Sequence, residues 1–104
     1  QGTDPWLVAG KGTAGSPSTS SSYNVSSITK NSAGNYVVNF TTNFSGTSYC
    51  VVVTVKYNGS HPMIGIIGAS GKSASGVNIV SYVTTDFNTP ADTPDFNFIC
   101  FGDQ

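Results

Sequence analysis

A chain of 104 residues has the length of one domain; it can bury roughly two-thirds of the surface exposed by its unfolded form and has no room for a second core. Charge is scarce: four Lys, five Asp, no Arg and no Glu, for a formal net charge of −1. There is then no basic stripe for a phosphate backbone and no Arg to read base edges, which sets nucleic acid aside, and no apolar run near ~20 residues or basic amphipathic stretch, which sets membrane insertion aside.

Residues 1–22 form a Gly/Ser-rich lead-in. Only Trp6 to Ala9 reads as strand there, so the lead-in is expected to carry one short strand. That apolar stretch is too short for the core of a signal peptide, and a start at Gln1 rather than Met is what a fragment or a processed chain would show.

From Tyr23 the pattern changes to short strands rich in Val, Ile, Thr, Tyr and Phe, separated by Gly, Asn, Ser and Pro. Tyr23 to Thr29 and Tyr36 to Thr42 flank the turn signal Asn-Ser-Ala-Gly-Asn and read as a hairpin; in the second run Tyr36, Val38 and Phe40 share one face. Tyr49 to Tyr57 places Tyr49, Val51, Val53, Val55 and Tyr57 on one face. Its other face begins with Cys50 and Val52, also apolar, which calls for a second cover: another subunit or a crossing lead-in. Asn58-Gly59-Ser60 is a turn, Met63 to Gly68 a short apolar strand, and Ala69 to Gly76 a loop. Val77 to Thr84 alternates again. Thr85 to Pro94 is a longer loop, and Asp95 to Phe101 sets Phe96, Phe98 and Cys100 against Ile99 and Phe101. The expected fold is all-β: a compact antiparallel β-sandwich of six to seven short strands, with residues 23–104 as the sandwich domain.

Cys50 and Cys100 each sit in an apolar strand. They are either a disulfide between neighbouring strands or two buried thiols acting as small hydrophobes, and so few cysteines favour the second reading.

No catalytic machinery is evident. His61 is the sole histidine and there is no G-x-S-x-G elbow; a metal held by one His61 from each of three copies is less simple than an exposed loop histidine before Pro62. The carboxylates are Asp4, Asp86, Asp92, Asp95 and Asp103. Three fall in one loop region, where Asp also supports turns, and none of the spacings is that of a calcium loop. No enzyme activity and no cofactor are expected. The N-x-S/T sequons at Asn24, Asn39, Asn43 and Asn58 are what chance gives in a chain so rich in Asn, Ser and Thr. Aromatic rings near loops, beside Asn and Asp, are the equipment of carbohydrate sites: the ring stacks on a sugar's apolar face while amide and carboxylate bond its hydroxyls. Trp6, Tyr57, His61, Tyr82 and Phe87 have such positions, and the candidate ligand-binding set is Tyr57, Asn58, His61, Tyr82, Asp86 and Asn88.

The stretches S-Y-N-V-S-S-I-T (Ser22 to Thr29), G-N-Y-V-V-N-F-T-T (Gly34 to Thr42), S-Y-C-V-V-V (Ser48 to Val53) and D-F-N-F-I-C-F-G-D (Asp95 to Asp103) together resemble the small C-terminal β-domain of bacteriophage tail-fibre and related virion proteins. The resemblance spans Trp6 to Asp103 and is weakest over Lys56 to Ser75. Where that family usually has a small residue, this chain has Cys50 and Cys100. It implies a homotrimer on the virion surface that contacts a host surface or another virion protein, and it transfers no binding residues, since the matching motifs are strand cores. The expected function is therefore a tail-fibre or tip module that binds host cell-surface polysaccharide. The alternative is a structural virion protein, such as a capsid decoration or fibre-attachment protein, with no receptor role.

Overall fold

The computed structural model of the protein describes the backbone of residues 7–13 and 19–21 and all atoms of residues 22–102. Among the described residues are eight strands: β1 Leu7–Thr13, β2 Thr19–Tyr23, β3 Val25–Ser32, β4 Asn35–Phe40, β5 Cys50–Val55, β6 Met63–Ser73, β7 Gly76–Val83 and β8 Asp95–Phe101. They form two antiparallel four-stranded sheets, ordered β2-β1-β8-β5 and β3-β4-β7-β6. The all-β antiparallel sandwich expected from the alternating runs is the fold. The strand count rises to eight because residues 1–22 supply β1 and most of β2 rather than a single strand.

The core lies between the sheets and follows the period of two. Tyr36, Val38 and Phe40 of β4 point inward, as do Val77 and Ile79 of β7 and Phe96, Phe98 and Cys100 of β8; all are buried together with Ile28, Phe44 and Tyr49. Phe44 and Tyr49 stack at 4.3 Å between centroids, with Phe40 edge-on to both. Tyr49 has its hydroxyl 2.8 Å from the carbonyls of both Ser73 and Gly76, so its polar end is satisfied although the ring is buried.

The chain passes from one sheet to the other at Asn24, between β2 and β3, in the left-handed region at φ 60°. Asparagine tolerates this conformation, and here its amide grips the far side of the corner. Oδ1 accepts from the N–H of Thr42 at 2.7 Å and Nδ2 donates to the carbonyl of Thr42 at 3.0 Å.

Three sequence readings change. First, β6 continues to Ser73, through residues expected to be a loop. Ile67 pairs with Ile79 and Lys72 with Val77, so residues 68–71 together oppose Asn78 alone, in a wide bulge. The buried Asn78 side chain fills the space under it: Nδ2 donates to Asn35 Oδ1 at 2.8 Å and to the Tyr36 carbonyl at 2.9 Å, and Oδ1 accepts from the Ser70 N–H at 3.3 Å. A β-carbon at Gly68 would run into this side chain and into Val80, so glycine is required at the crossing.

Second, the lead-in does not cross over β5. β1 lies in the same sheet, on the far side of β8, pairing Leu7 with Phe101 through to Thr13 with Asp95. The outward face of β5 and β8 therefore presents Val52 at 54% and Phe101 at 52% exposure, around an apolar depression of about 190 Å³ lined by Val52, Thr54, Asn97 and Ile99.

Third, the cysteines are neither bonded nor both buried. Cys50 is opposite Phe101 and Cys100 opposite Val51, so the pleat points the two thiols to opposite faces; both are free, Cys50 exposed and Cys100 buried. Burial pushes the Cys100 thiol up to about 12.

Candidate binding surface

The six candidate residues fall at one end of the sandwich, on the β5–β6 loop and on the end of β7 with its following loop. Tyr57, Asn58 and His61 lie on the first, and Tyr82, Asp86 and Asn88 on the second. The two are adjacent because Met63 pairs with Val83 and Ile64 with Tyr82, and a bond from the Thr84 N–H to the Pro62 carbonyl at 3.0 Å carries the contact into the loops. Trp6, Asp4 and Asp103 lie outside the described residues.

Each loop is built by its own polar residues. Asn58 Oδ1 accepts from the N–H groups of Ser60 at 2.8 Å and His61 at 2.7 Å, while the Asn58 N–H donates to the His61 carbonyl. This is an Asx turn, and it accounts for the Asn-Gly-Ser sequence. Asp86 does the same for its loop. Its N–H donates to the Val83 carbonyl, and Oδ1 accepts from the Asn88 N–H at 3.0 Å. Asn58 Nδ2 and Asp86 Oδ2 are then the polar atoms able to bond a ligand, beside the exposed imidazole of His61 and the exposed side chain of Asn88. Tyr57 is 54% exposed; Tyr82 is half-buried, facing outward opposite Ile64.

Phe87 also belongs to this surface. It is 58% exposed and follows Asp86 directly. Its signal in the sequence is an aromatic amid Asp, Asn, Thr and Pro, where no core position exists for it to fill.

Beneath the loops lies a buttress that sequence reasoning missed. Asp92 accepts three hydrogen bonds: from Lys30 Nζ at 2.8 Å, the Gly34 N–H at 2.7 Å and the Tyr36 hydroxyl at 2.8 Å. Burial alone would raise its pKa, but the bonds from Lys30, Gly34 and Tyr36 and the charge of Lys30 outweigh it and hold the carboxyl below its ordinary value. Gly34 adopts φ +68° in the β3–β4 turn, and a β-carbon there would strike the backbone of Ala91. Ser81 donates its N–H to the Gly34 carbonyl and accepts from the Ala91 N–H at its own carbonyl, stitching turn, strand and loop together. Thr93 Oγ1 sits 3.0 Å from the Lys56 carbonyl and 2.9 Å from that of Asp95, which fixes the chain next to Tyr57.

Among the described residues no three His, Cys, Asp or Glu side chains gather closely enough to hold a metal ion. A cleft of about 300 Å³ lies at the opposite end of the sandwich, lined by Phe44, Ser45, Gly46, Ser48 and Tyr49. No protein-family model matches this chain, and no curated protein or solved structure does.

Proposed function

We propose that the chain is a virion-surface module, of a tail fibre or its tip, that binds host cell-surface glycans through the loop end carrying Tyr57, Asn58, His61, Tyr82, Asp86, Asn88 and Phe87. The observation that carries this reading is the pair of exposed rings, Tyr57 and Phe87, on two adjoining loops that also present the Asn58 amide and the Asp86 carboxylate. An aromatic face costs little conformational freedom and offers apolar area to a sugar ring; the amide and carboxylate supply direction. Asp92 ties the β7–β8 loop to β3 and β4, and Thr93 holds the chain at Lys56 beside the β5–β6 loop, so the surface is set before a ligand arrives, which limits the ordering cost of binding. The reading assigns no catalysis and no cofactor, and places the protein on the outside of a virus particle as a homotrimer.

Retention of the protein on host cells with and without surface polysaccharide tests this. Retention only on polysaccharide-bearing cells is the expected result; equal retention on both, or on neither, overturns it. A second reading, a structural virion protein with no receptor role, is favoured by the apolar side chains on the outer faces, where Val52, Phe101, Ile64 and Ile66 are all 38% exposed or more. Under that reading the protein ignores cells and binds another virion protein instead.

A further inference from the structure

We propose that Asn58 is a site of spontaneous deamidation, through which the β5–β6 loop gains a negative charge and a rearranged backbone as the folded protein ages. Asn58-Gly59 is the single Asn-Gly pair in the chain. The reaction begins with attack by the backbone nitrogen of the following residue on the asparagine Cγ. Glycine favours it, because no β-carbon stands beside the attacking nitrogen. Nothing lies within 4 Å of the place where a β-carbon of Gly59 would be, so water and hydroxide reach the turn freely.

The fold adds an electronic contribution. Two N–H groups, of Ser60 at 2.8 Å and His61 at 2.7 Å, donate to Asn58 Oδ1. They draw electron density from Cγ and stabilise the negative charge that develops on that oxygen when the nitrogen adds, in the manner of an oxyanion hole. No other asparagine among the described residues combines a following glycine with two such donors. Asn78, which is buried, is followed by Ile79, and Asn24 by Val25, each with a side chain crowding the attack.

The steps balance without an outside oxidant or catalyst. Gly59 N loses its proton to hydroxide and bonds to Asn58 Cγ; the Cγ–Nδ2 bond breaks and ammonia leaves with a proton from water. The resulting five-membered imide then adds one water across either of its C–N bonds. One opening gives aspartate with the original backbone, and the other gives isoaspartate, with the chain rerouted through the side-chain carbonyl. In both, the amide donor Nδ2 is lost and a carboxylate is gained, on the side chain in aspartate and on the former main-chain carbonyl carbon in isoaspartate, and the net charge falls by about one at neutral pH.

The chain supplies its own control. Lys56 and Lys72 bound a tryptic peptide, residues 57–72, whose single asparagine is Asn58; the preceding peptide, residues 31–56, holds Asn31, Asn35, Asn39 and Asn43. The folded protein is aged in mildly alkaline buffer, digested and weighed. The expected result is a gain of about one dalton in peptide 57–72, the mass of a hydroxyl against an amide NH2, with an isoaspartyl form resolved by chromatography, while peptide 31–56 keeps its mass. Gly59→Ala should abolish the gain, and its melting curve shows whether that variant is folded. A urea-unfolded sample aged in parallel separates the fold from the dipeptide, and the folded sample should gain faster. An unchanged peptide 57–72, a Gly59→Ala protein that ages like the parent, or a faster gain in the unfolded sample would each overturn the proposal. None of these outcomes depends on whether the loop binds glycans.

Discussion

The hydroxyl of Tyr36 donates to Asp92 Oδ1 at 2.8 Å, joining a core strand to a surface loop across 56 positions of sequence. The ring of Tyr36 packs against Phe96 in the core, 5.0 Å between centroids, while its hydroxyl reaches the loop that carries Asp86, Phe87 and Asn88. One side chain therefore couples the order of the β7–β8 loop to the stability of the core. Burial, and then the neighbouring Asp92 carboxylate, push the tyrosine's ionisation well above the ordinary phenol value, so it stays a hydrogen-bond donor throughout the neutral range.

Acid should release this coupling. The Asp92 carboxyl is lowered in the folded protein, so it binds its proton less readily there than in the unfolded chain. The stabilisation is complete above an unfolded value of about pH 4 and is lost as pH falls through the lower folded value. Melting temperatures taken from neutral to strongly acid pH should fall below about pH 4 in the parent protein. In Asp92→Asn the neutral-pH melting temperature is lower and the acid drop is shallower, because the charge that titrates is gone. Asp92→Ala leaves the Tyr36 hydroxyl without its acceptor and should cost about 1–3 kcal/mol in denaturant titrations. An unaltered acid limb in Asp92→Asn would show that another carboxylate governs it.

The β6 bulge gives a second stability prediction. Gly68→Ala places a methyl group where Asn78 and Val80 already lie, and should destabilise by about 1–3 kcal/mol, as overpacking does. Asn78→Ala should cost a similar amount, since Asn35, Ser70 and Tyr36 lose their shared partner. The two residues touch, so their effects should not add. The double variant, with the collision relieved, should be less destabilised than the sum of the single ones, as equilibrium unfolding of all four proteins would show.

How much of this could be read in the sequence depended on whether a side chain answers to its neighbours or to distant residues. The alternation in Tyr36 to Phe40 and in Phe96 to Cys100 gave the core faces directly, because a sheet's period of two is local. In β6 the same rule failed. Four residues oppose one, so the pleat loses phase, and Gly-Ala-Ser-Gly looks like a loop unless one knows that Asn78 fills the space beneath. The loop residues of the candidate surface were legible because Asn58 and Asp86 build turns with residues two and three positions away. Asp92 has the same composition around it as Asp86, yet its partners Lys30, Gly34 and Tyr36 lie at least 56 positions off, and only the fold brings them together.

The thiols should separate cleanly. Cys50 is exposed on an outward face and Cys100 is buried with its ionisation pushed up to about 12. A thiol reagent added to the native protein should therefore modify Cys50 alone, and both should react in denaturant. Cys50→Ser should remove native reactivity without changing the melting temperature, whereas Cys100→Ser, which buries a hydroxyl in the core, should lower stability by about 1–3 kcal/mol. Two native equivalents of reactive thiol would mean that β8 opens on the time scale of labelling.

The candidate surface gives the last prediction. If sugars stack on Tyr57 and Phe87, then Tyr57→Ala and Phe87→Ala should each weaken retention on polysaccharide-bearing cells by about tenfold, the equivalent of ~1.4 kcal/mol, and the melting temperature should not move, because both rings are more than half exposed. Asp86→Ala behaves differently. It removes Oδ2, a candidate ligand contact, and also Oδ1, which accepts from the Asn88 N–H and shapes the loop. Asp86→Asn can keep the Oδ1 bond while discarding the charge, so a loss of binding in Asp86→Ala that Asp86→Asn restores would assign Asp86 to loop geometry, and a loss in both would assign it to the ligand. Lys30→Ala, which removes a donor to Asp92, should weaken binding only through the buttress, and the defect should shrink as temperature is lowered. Full binding by Tyr57→Ala and Phe87→Ala together would move the contact away from this end of the sandwich and toward the exposed apolar residues around Val52 and Ile66.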